Sequence, residues 1–301
     1  MILSRARFLQ LAGTAMLGGP AMAETGAPMN KRKIQSTGEM LPVIGLGTWR
    51  GFDVGTATAD RAPLADVLAA LFEAGGSVID SSPMYGRAEG VTGDLLSEAG
   101  TRDKAFIATK VWTSGREPGI AQMERSFKLL RTDKIDLMQI HNLLDWETHL
   151  PTLQAWKKEG RIRLLGVTHY TPGAHASLEA VLARGGFDFV QVDYSLDDRS
   201  AETRLLPFAR DKGIAVLINL PFGGGGLLGR LGRRKLPDWA AEIGCTSWAQ
   251  LLLKFVLANP AVTCAIPGTS NPAHMRDNLQ AGLGAYPDAA LLKRLVAEVG
   301  G

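Results

Sequence analysis

The feature that most constrains this chain is an alternation. Eight short apolar or β-branched runs recur along it, most followed by roughly ten or more residues with apolar positions at helical spacing. The runs are VIGLG (43–47), SVID (77–80), AFIATK (105–110), IDLMQIH (135–141), RLLGVT (163–168), FDFVQV (187–192), IAVLIN (214–219) and VTCAIP (262–267). They contain few polar interruptions, the pattern of parallel strands buried on both faces. Helical stretches between them include APLADVLAALFEAG, EPGIAQMERSFKLL, HLPTLQAWKKEG, PGAHASLEAVLARG and AETRLLPFARDKG. Several end at glycine, which lets a helix leave through a left-handed turn. Eight strand–helix units favour an α/β fold closed into a (β/α)8 TIM-type barrel over an open doubly wound sheet. A G-x-G-x-x-G fingerprint after the first run would argue the other way, and none occurs there.

The length of 301 residues suits one such domain, expected over 31–301. Ile34 to Thr48 reads as a small N-terminal hairpin leading into the first buried strand. Two additions are expected: a Gly- and Arg-rich insert from Leu227 to Thr246, and a C-terminal extra helix over Pro287 to Val299 lying across the barrel. A net charge of +3 from 33 basic and 30 acidic residues is too balanced for a nucleic-acid-binding face. The one dense basic run, Arg230, Arg233, Arg234 and Lys235, reads either as a solvated loop or as a contact for a cofactor phosphate or anionic substrate. Cys245 and Cys264 make neither a metal motif nor a disulfide framework and read as small buried residues, so no metal is expected.

A barrel gathers chemistry at the C-terminal ends of its strands. Asp80, Lys110 and His141 end three consecutive strands, and Tyr85 follows Asp80 in SSPMYG. Each alone has an ordinary role: a helix cap, a surface charge, a core histidine, a packing ring. Together they suit carbonyl reduction, in which a hydride arrives on carbon and a proton must reach the developing alkoxide. A phenol with a pKa near 10 is too weak an acid without help. A nearby ammonium favours the phenolate and is expected to lower the tyrosine pKa, and a carboxylate holds that ammonium charged and oriented. The histidine is suited to donating a hydrogen bond to the carbonyl oxygen. The glycine run 223–226, including Gly223 and Gly225, would let backbone approach a pyrophosphate closely, or serve as a flexible loop.

The strings GLGTWR, VIDSSPMYGRAEGVTGDLL, FIATKVW and DLMQIHN resemble consecutive signatures of the aldo-keto reductases. The resemblance continues through GVTHY, FVQVDYSLDDR, LPFGGGGLLG and IPGTSNPAHMRDNL, covering nearly everything from Ile34 onward. It implies that Asp80, Tyr85, Lys110 and His141 are the catalytic tetrad, with the tyrosine as general acid. It also implies a nicotinamide cofactor, NADP with NAD as the alternative, and a small-molecule carbonyl substrate. The implied cofactor surface comprises Thr48, Thr168, His169, Gln191, Asn219, Pro221, Gly223, Gly225, Thr269, Ser270, Asn271, His274, Asp277 and Asn278. Within it His169 stands where the family has asparagine, and Asn219 where it commonly has a stacking aromatic ring. Gly268 and His274 stand where a lysine and an arginine often meet the 2′-phosphate. Trp49 and Trp112 match positions lining the substrate pocket.

Residues 1–25 have the layout of an export signal: Arg5 and Arg7, an apolar stretch from Phe8 to Met22, and Ala21-Met22-Ala23 as a cleavage pattern. The stretch is too short for a membrane span. SRARFLQ resembles a twin-arginine signal with Ala6 in place of the second arginine, which implies the twin-arginine export machinery as a partner and a periplasmic location. A cytoplasmic protein with an amphipathic N-terminus is the alternative. For the barrel itself two functions stand open: an aldehyde or ketone reductase, and a nicotinamide-binding barrel with little turnover acting as a sensor or partner subunit.

Overall fold

The computed structural model describes residues 28–299, so the export signal expected over 1–25 lies outside the described residues. Eight strands form one parallel sheet: β3 (Leu46–Gly47), β4 (Val78–Asp80), β5 (Phe106–Val111), β6 (Ile135–Ile140), β7 (Ile162–Thr168), β8 (Phe189–Asp193), β9 (Ala215–Asn219) and β10 (Cys264–Ala265). Each pairs with the next in chain order, and bridges from Ile44 to Ala265 and from Gly47 to Gly268 close the sheet into a barrel. The closing seam is tight. A Cβ on Gly47 would lie 2.9 Å from the carbonyl oxygen of Ile266, so only glycine fits there.

Two apolar regions follow from the strand period of two. Outward-facing residues pack under the helices as one large cluster. Inward-facing Val78, Phe106, Ala108, Leu137, Leu164, Phe189, Leu217 and Cys264 form a separate cluster in the barrel interior. The hairpin β1 (Lys31–Lys33) and β2 (Met40–Pro42) is antiparallel, with Lys31 opposite Pro42. Its flanking Ile34 and its Leu41 join the interior cluster and plug that end of the barrel. Both cysteines are buried and free, as read from the sequence.

The expected helices form as α1 (Thr58–Glu73), α3 (Arg116–Leu129), α4 (Trp146–Lys158), α5 (His175–Leu182) and α6 (Leu205–Asp211). A further helix, α2 (Ala88–Glu98), follows the Tyr85 loop. The insert folds into α7 (Gly226–Leu231) and a 3-10 turn over Asp238–Ile243, and leads to α8 (Trp248–Ala258), capped by Ser247. α9 (Pro272–Gln280) and α10 (Ala289–Val299) complete the chain. α10 packs against the insert, where Glu298 Oε1 accepts from Trp239 Nε1 at 3.0 Å.

Candidate active site

Along the inward faces, side chains change from apolar to polar toward the C-terminal strand ends. Ile79–Ile107 pairing sets Asp80 beside Ala108, and Lys110 sits level with Gln139 on the next strand. The polar residues meet across the interior. Lys110 Nζ donates to Asp80 Oδ2 at 2.7 Å and to the Ser81 carbonyl at 2.7 Å. Gln139 Nε2 donates to Asp80 Oδ1, and Gln191 Nε2 to Asp80 Oδ2, both at 3.2 Å. Gln191 reaches Asp80 from β8, on the far side of the barrel. The Asp80 carboxylate therefore receives three side-chain donors in a site sealed from solvent.

Burial opposes charge on Lys110 more than any other single influence. Asp80 and Tyr85 together outweigh it and leave the ammonium pKa above its ordinary value. Lys110 Nζ lies 5.1 Å from the centre of the Tyr85 ring. The expected lowering of the Tyr85 pKa is overturned: burial of the phenol raises it above its ordinary value, and Lys110 only partly offsets that. The reason is that desolvation disfavours the phenolate more than the ammonium favours it. His141 packs edge-on to Tyr85 with ring centres 6.0 Å apart. Burial first, then the charge on Lys110 and the nearby His169, push its pKa down to about 2, so its ring is neutral at ordinary pH.

The sequence reading placed these four residues together but missed three that hold them. Ser82 Oγ lies 3.0 Å from His141 Nδ1. Ser81 takes both a Lys110 hydrogen bond on its carbonyl and one from Thr48 Oγ1 on its hydroxyl, at 2.9 Å. Gln139 contacts Asp80 directly. The available signal was an amide at an inward position near the end of a mostly apolar strand, and a serine pair before the tyrosine.

The residues implied for a cofactor divide into two groups. Toward the tetrad lie Thr168 and Asn219, which end β7 and β9, and Gln191, which lies mid-strand on β8 level with Thr168. Gln191 donates one amide hydrogen to Asp80, and its Oε1 is buried without a partner, as is Asn219 Oδ1. His169 accepts on Nδ1 from the amides of Tyr170 (3.1 Å) and Thr171 (3.3 Å), which leaves its one hydrogen on Nε2 when neutral. A donor at His169 and an acceptor at Gln191 are complementary to the carbonyl and amino group of a carboxamide.

Farther out lie the glycine loop and the start of α9. Gly223, Gly224 and Gly225 all have positive φ, and Pro221 is buried at the loop's entrance. Thr269 Oγ1 accepts from the Asn271 amide, and Asn271 caps α9 through Ala273. Ser270 and His274 are accessible there. Two implied contacts have other partners as well, and a third is buried. Thr48 is buried with its hydroxyl committed to Asp80 O and Ser81. Asp277 gives both oxygens to α8, accepting from Ser247 Oγ at 2.7 Å and Gln250 Nε2 at 2.6 Å. Asn278 is buried. In the basic run, Lys235 pairs with Asp238 at 2.7 Å and Arg234 donates to the Glu298 carbonyl, so part of it serves the insert.

Around the mouth, Trp49 and Trp112 are 45% and 40% exposed, placing two indole faces where a ligand can meet them. The Trp112 ring centre is 6.3 Å from that of His141. Gln122 on α3 clamps the Trp112 backbone, accepting from its amide at 2.6 Å and donating to its carbonyl at 3.1 Å.

The fold is thus a parallel eight-stranded barrel with a buried Asp–Lys pair beneath a tyrosine and a neutral histidine at its mouth. The chain belongs to the Aldo/keto reductase family, whose profile matches residues 43–290. Methylglyoxal reductase YeaE of Escherichia coli (strain K12) is 30% identical over 258 residues, which cover 83% of this chain and 89% of that protein. The NADH-specific methylglyoxal reductase of the same organism is 26% identical, covering 90% and 99%. An aldo/keto reductase from Klebsiella pneumoniae, solved in complex with NADP and acetate, superposes with a TM-score of 0.75 at 28% identity, covering 89% of this chain and 95% of that one.

Proposed function

We propose that the protein reduces aldehydes or ketones to alcohols, with Tyr85 as general acid assisted by Lys110, Asp80 and His141, and with NADPH as cofactor and NADH as the alternative. The observation that carries this reading is the sealed Asp80–Lys110 pair lying against the Tyr85 ring. A bound reduced nicotinamide supplies the hydride. The chain does the rest. Its raised pKa keeps Tyr85 protonated at neutral pH, so the phenol has a proton to give as negative charge grows on the carbonyl oxygen. Lys110 stabilises the phenolate left behind, which regains a proton from solvent. Asp80 keeps Lys110 charged, and neutral His141 donates a hydrogen bond that directs the carbonyl oxygen.

His169 and Gln191 would hold the carboxamide, the 223–225 loop would take the pyrophosphate, and Thr269, Ser270 and Asn271 would take the ribose phosphate. NADP and NADPH complexes of the Klebsiella pneumoniae relative support the first cofactor, and the NADH-specific relative supports the second. Small dicarbonyls enter the substrate panel because several relatives are methylglyoxal reductases.

The test assays methylglyoxal and a set of aromatic aldehydes with both cofactors, using the wild type and Tyr85→Phe. Turnover that disappears in the folded variant supports the reading. Cofactor binding without turnover of any carbonyl overturns it and assigns the barrel to a sensor or partner role, which the non-aromatic Asn219 at the expected stacking position favours. Residues 31–301 act as the single catalytic domain, and residues 1–25 direct export to the periplasm through the twin-arginine machinery. Cell fractionation with and without residues 1–25 tests the export. A cytoplasmic full-length protein overturns it.

A further inference from the structure

We propose that Ser82 is a positioning residue that fixes neutral His141 in its Nε2–H form, so that the imidazole can offer a carbonyl oxygen only a hydrogen-bond donor. The inference rests on the reading of His141 as the group that directs the carbonyl.

Ser82 and His141 are both buried, and Ser82 Oγ stands 3.0 Å from Nδ1. The same oxygen accepts from the Met84 amide at 3.4 Å. Two arrangements satisfy the distance to Nδ1. In one, the ring carries its hydrogen on Nδ1 and donates to Ser82. The serine oxygen then accepts two hydrogen bonds, and its own hydrogen has no acceptor among the described residues. Leaving a buried donor unpaired costs about 1–3 kcal/mol. In the other, Ser82 donates to the bare Nδ1 and accepts from Met84, and the ring's hydrogen lies on Nε2, which is not among the buried unpartnered atoms and is left to meet solvent or a substrate. The second arrangement wins by that difference, which corresponds to about 5- to 150-fold in population.

With Nδ1 occupied as an acceptor, the single hydrogen of the neutral ring sits on Nε2. The cation of Lys110 disfavours a second proton. The imidazole is thus a fixed donor instead of a group able to flip between donor and acceptor. A serine hydroxyl can do this because its one hydrogen has one place to go. An alanine at this position leaves the tautomers to be set by substrate alone.

The experiment combines imidazole 15N NMR of histidine-labelled protein with steady-state kinetics. His141 is assigned by loss of its signals in His141→Gln. The wild type should show a protonated Nε2 and a bare Nδ1. Ser82→Ala should show a measurable Nδ1–H fraction and a kcat lower by ~10-fold or more, with KM changed less, because the lost interaction matters most as charge develops. Ser82→Thr keeps the hydroxyl and should restore both readouts. A wild-type ring protonated on Nδ1 overturns the proposal, even if Ser82→Ala proves unable to fold. An unchanged tautomer in folded Ser82→Ala overturns it too. The NMR result does not depend on turnover, so a protein that reduces no carbonyl at all defeats the proposed function while leaving the tautomer question decided by itself.

Discussion

Lys110 Nζ donates to Asp80 Oδ2 across 2.7 Å while the two side chains expose only 1% and 3% of their surfaces. A pair this deep is held together by mutual need. Removing one partner strands a charge where water cannot reach it, and such losses run to about 3–5 kcal/mol. Asp80→Asn should therefore lower stability by that order and abolish carbonyl reduction. The double variant Asp80→Asn/Lys110→Met should regain much of the stability, since no ion remains to be desolvated, and stay inactive. Denaturant unfolding of the three proteins beside a reductase assay separates the two effects. A double variant no more stable than Asp80→Asn would show that the pair's charges are not what couples these residues.

The raised pKa of Tyr85 gives a pH dependence with a definite sign. The phenol must be protonated to act as an acid, and its folded pKa lies above the ordinary value of 10.0. Reduction should hold steady from neutral pH through the ordinary tyrosine range and decline only at higher pH. Lys110 is the influence that pulls this pKa down, so Lys110→Met should push the alkaline decline still higher while lowering kcat by about 10²-fold or more. A kcat profile breaking well below pH 10 in the wild type would contradict the burial argument.

How much of this was legible in the sequence depends on which way a residue faces. The eight runs, the three polar residues at their ends and the tyrosine just beyond one of them could be read because strand period and strand ends are local patterns. The direction of the Tyr85 shift could not, since it depends on how deeply the loop tucks the ring beside His141, a tertiary quantity. Gln139 looked like one polar interruption in IDLMQI. Its meaning appears only when the sheet sets β4 and β6 on either side of β5 and brings Asp80 Oδ1 within 3.2 Å of it. Asp277 shows the same dependence: its place in the family pattern implied a ligand contact, and only the fold reveals that both of its oxygens also accept from Ser247 and Gln250 of α8. α2 was hidden by the glycines at 90 and 93, which weaken a helical pattern that packing restores.

His141 links the site to acid stability. Its pKa is about 2 in the folded protein against 6.5 for the free side chain. Below pH 6.5 the unfolded chain therefore binds a proton that the folded protein refuses. Stability is unaffected by this group above 6.5 and falls as the pH drops through the window toward 2, by up to ~1.4 kcal/mol per pH unit. His141→Gln, which has no proton to take up, should flatten that part of the stability curve between pH 6.5 and 4. Urea midpoints of both proteins at several pH values measure the difference. Parallel curves would mean that the buried ring becomes protonated in place.

Gly223 separates loop geometry from loop softness. Its φ is +57°, and a Cβ there would sit 2.7 Å from both oxygens of Asp197. Gly226, at the start of α7, has φ −61° and nothing within 4 Å of its would-be Cβ. Both belong to the run expected to approach the pyrophosphate, so a loop valued only for flexibility should suffer equally from alanine at either place. Positive φ costs an L-residue about 1–3 kcal/mol, and the Asp197 contact adds to it. Gly223→Ala should then weaken NADPH binding by ~10-fold or more, with a small change in melting temperature because the loop is exposed. Gly226→Ala should bind like the wild type. Fluorescence titration with NADPH reads both variants, and equal losses would mean that the loop's shape in the free protein is not the one that meets the cofactor.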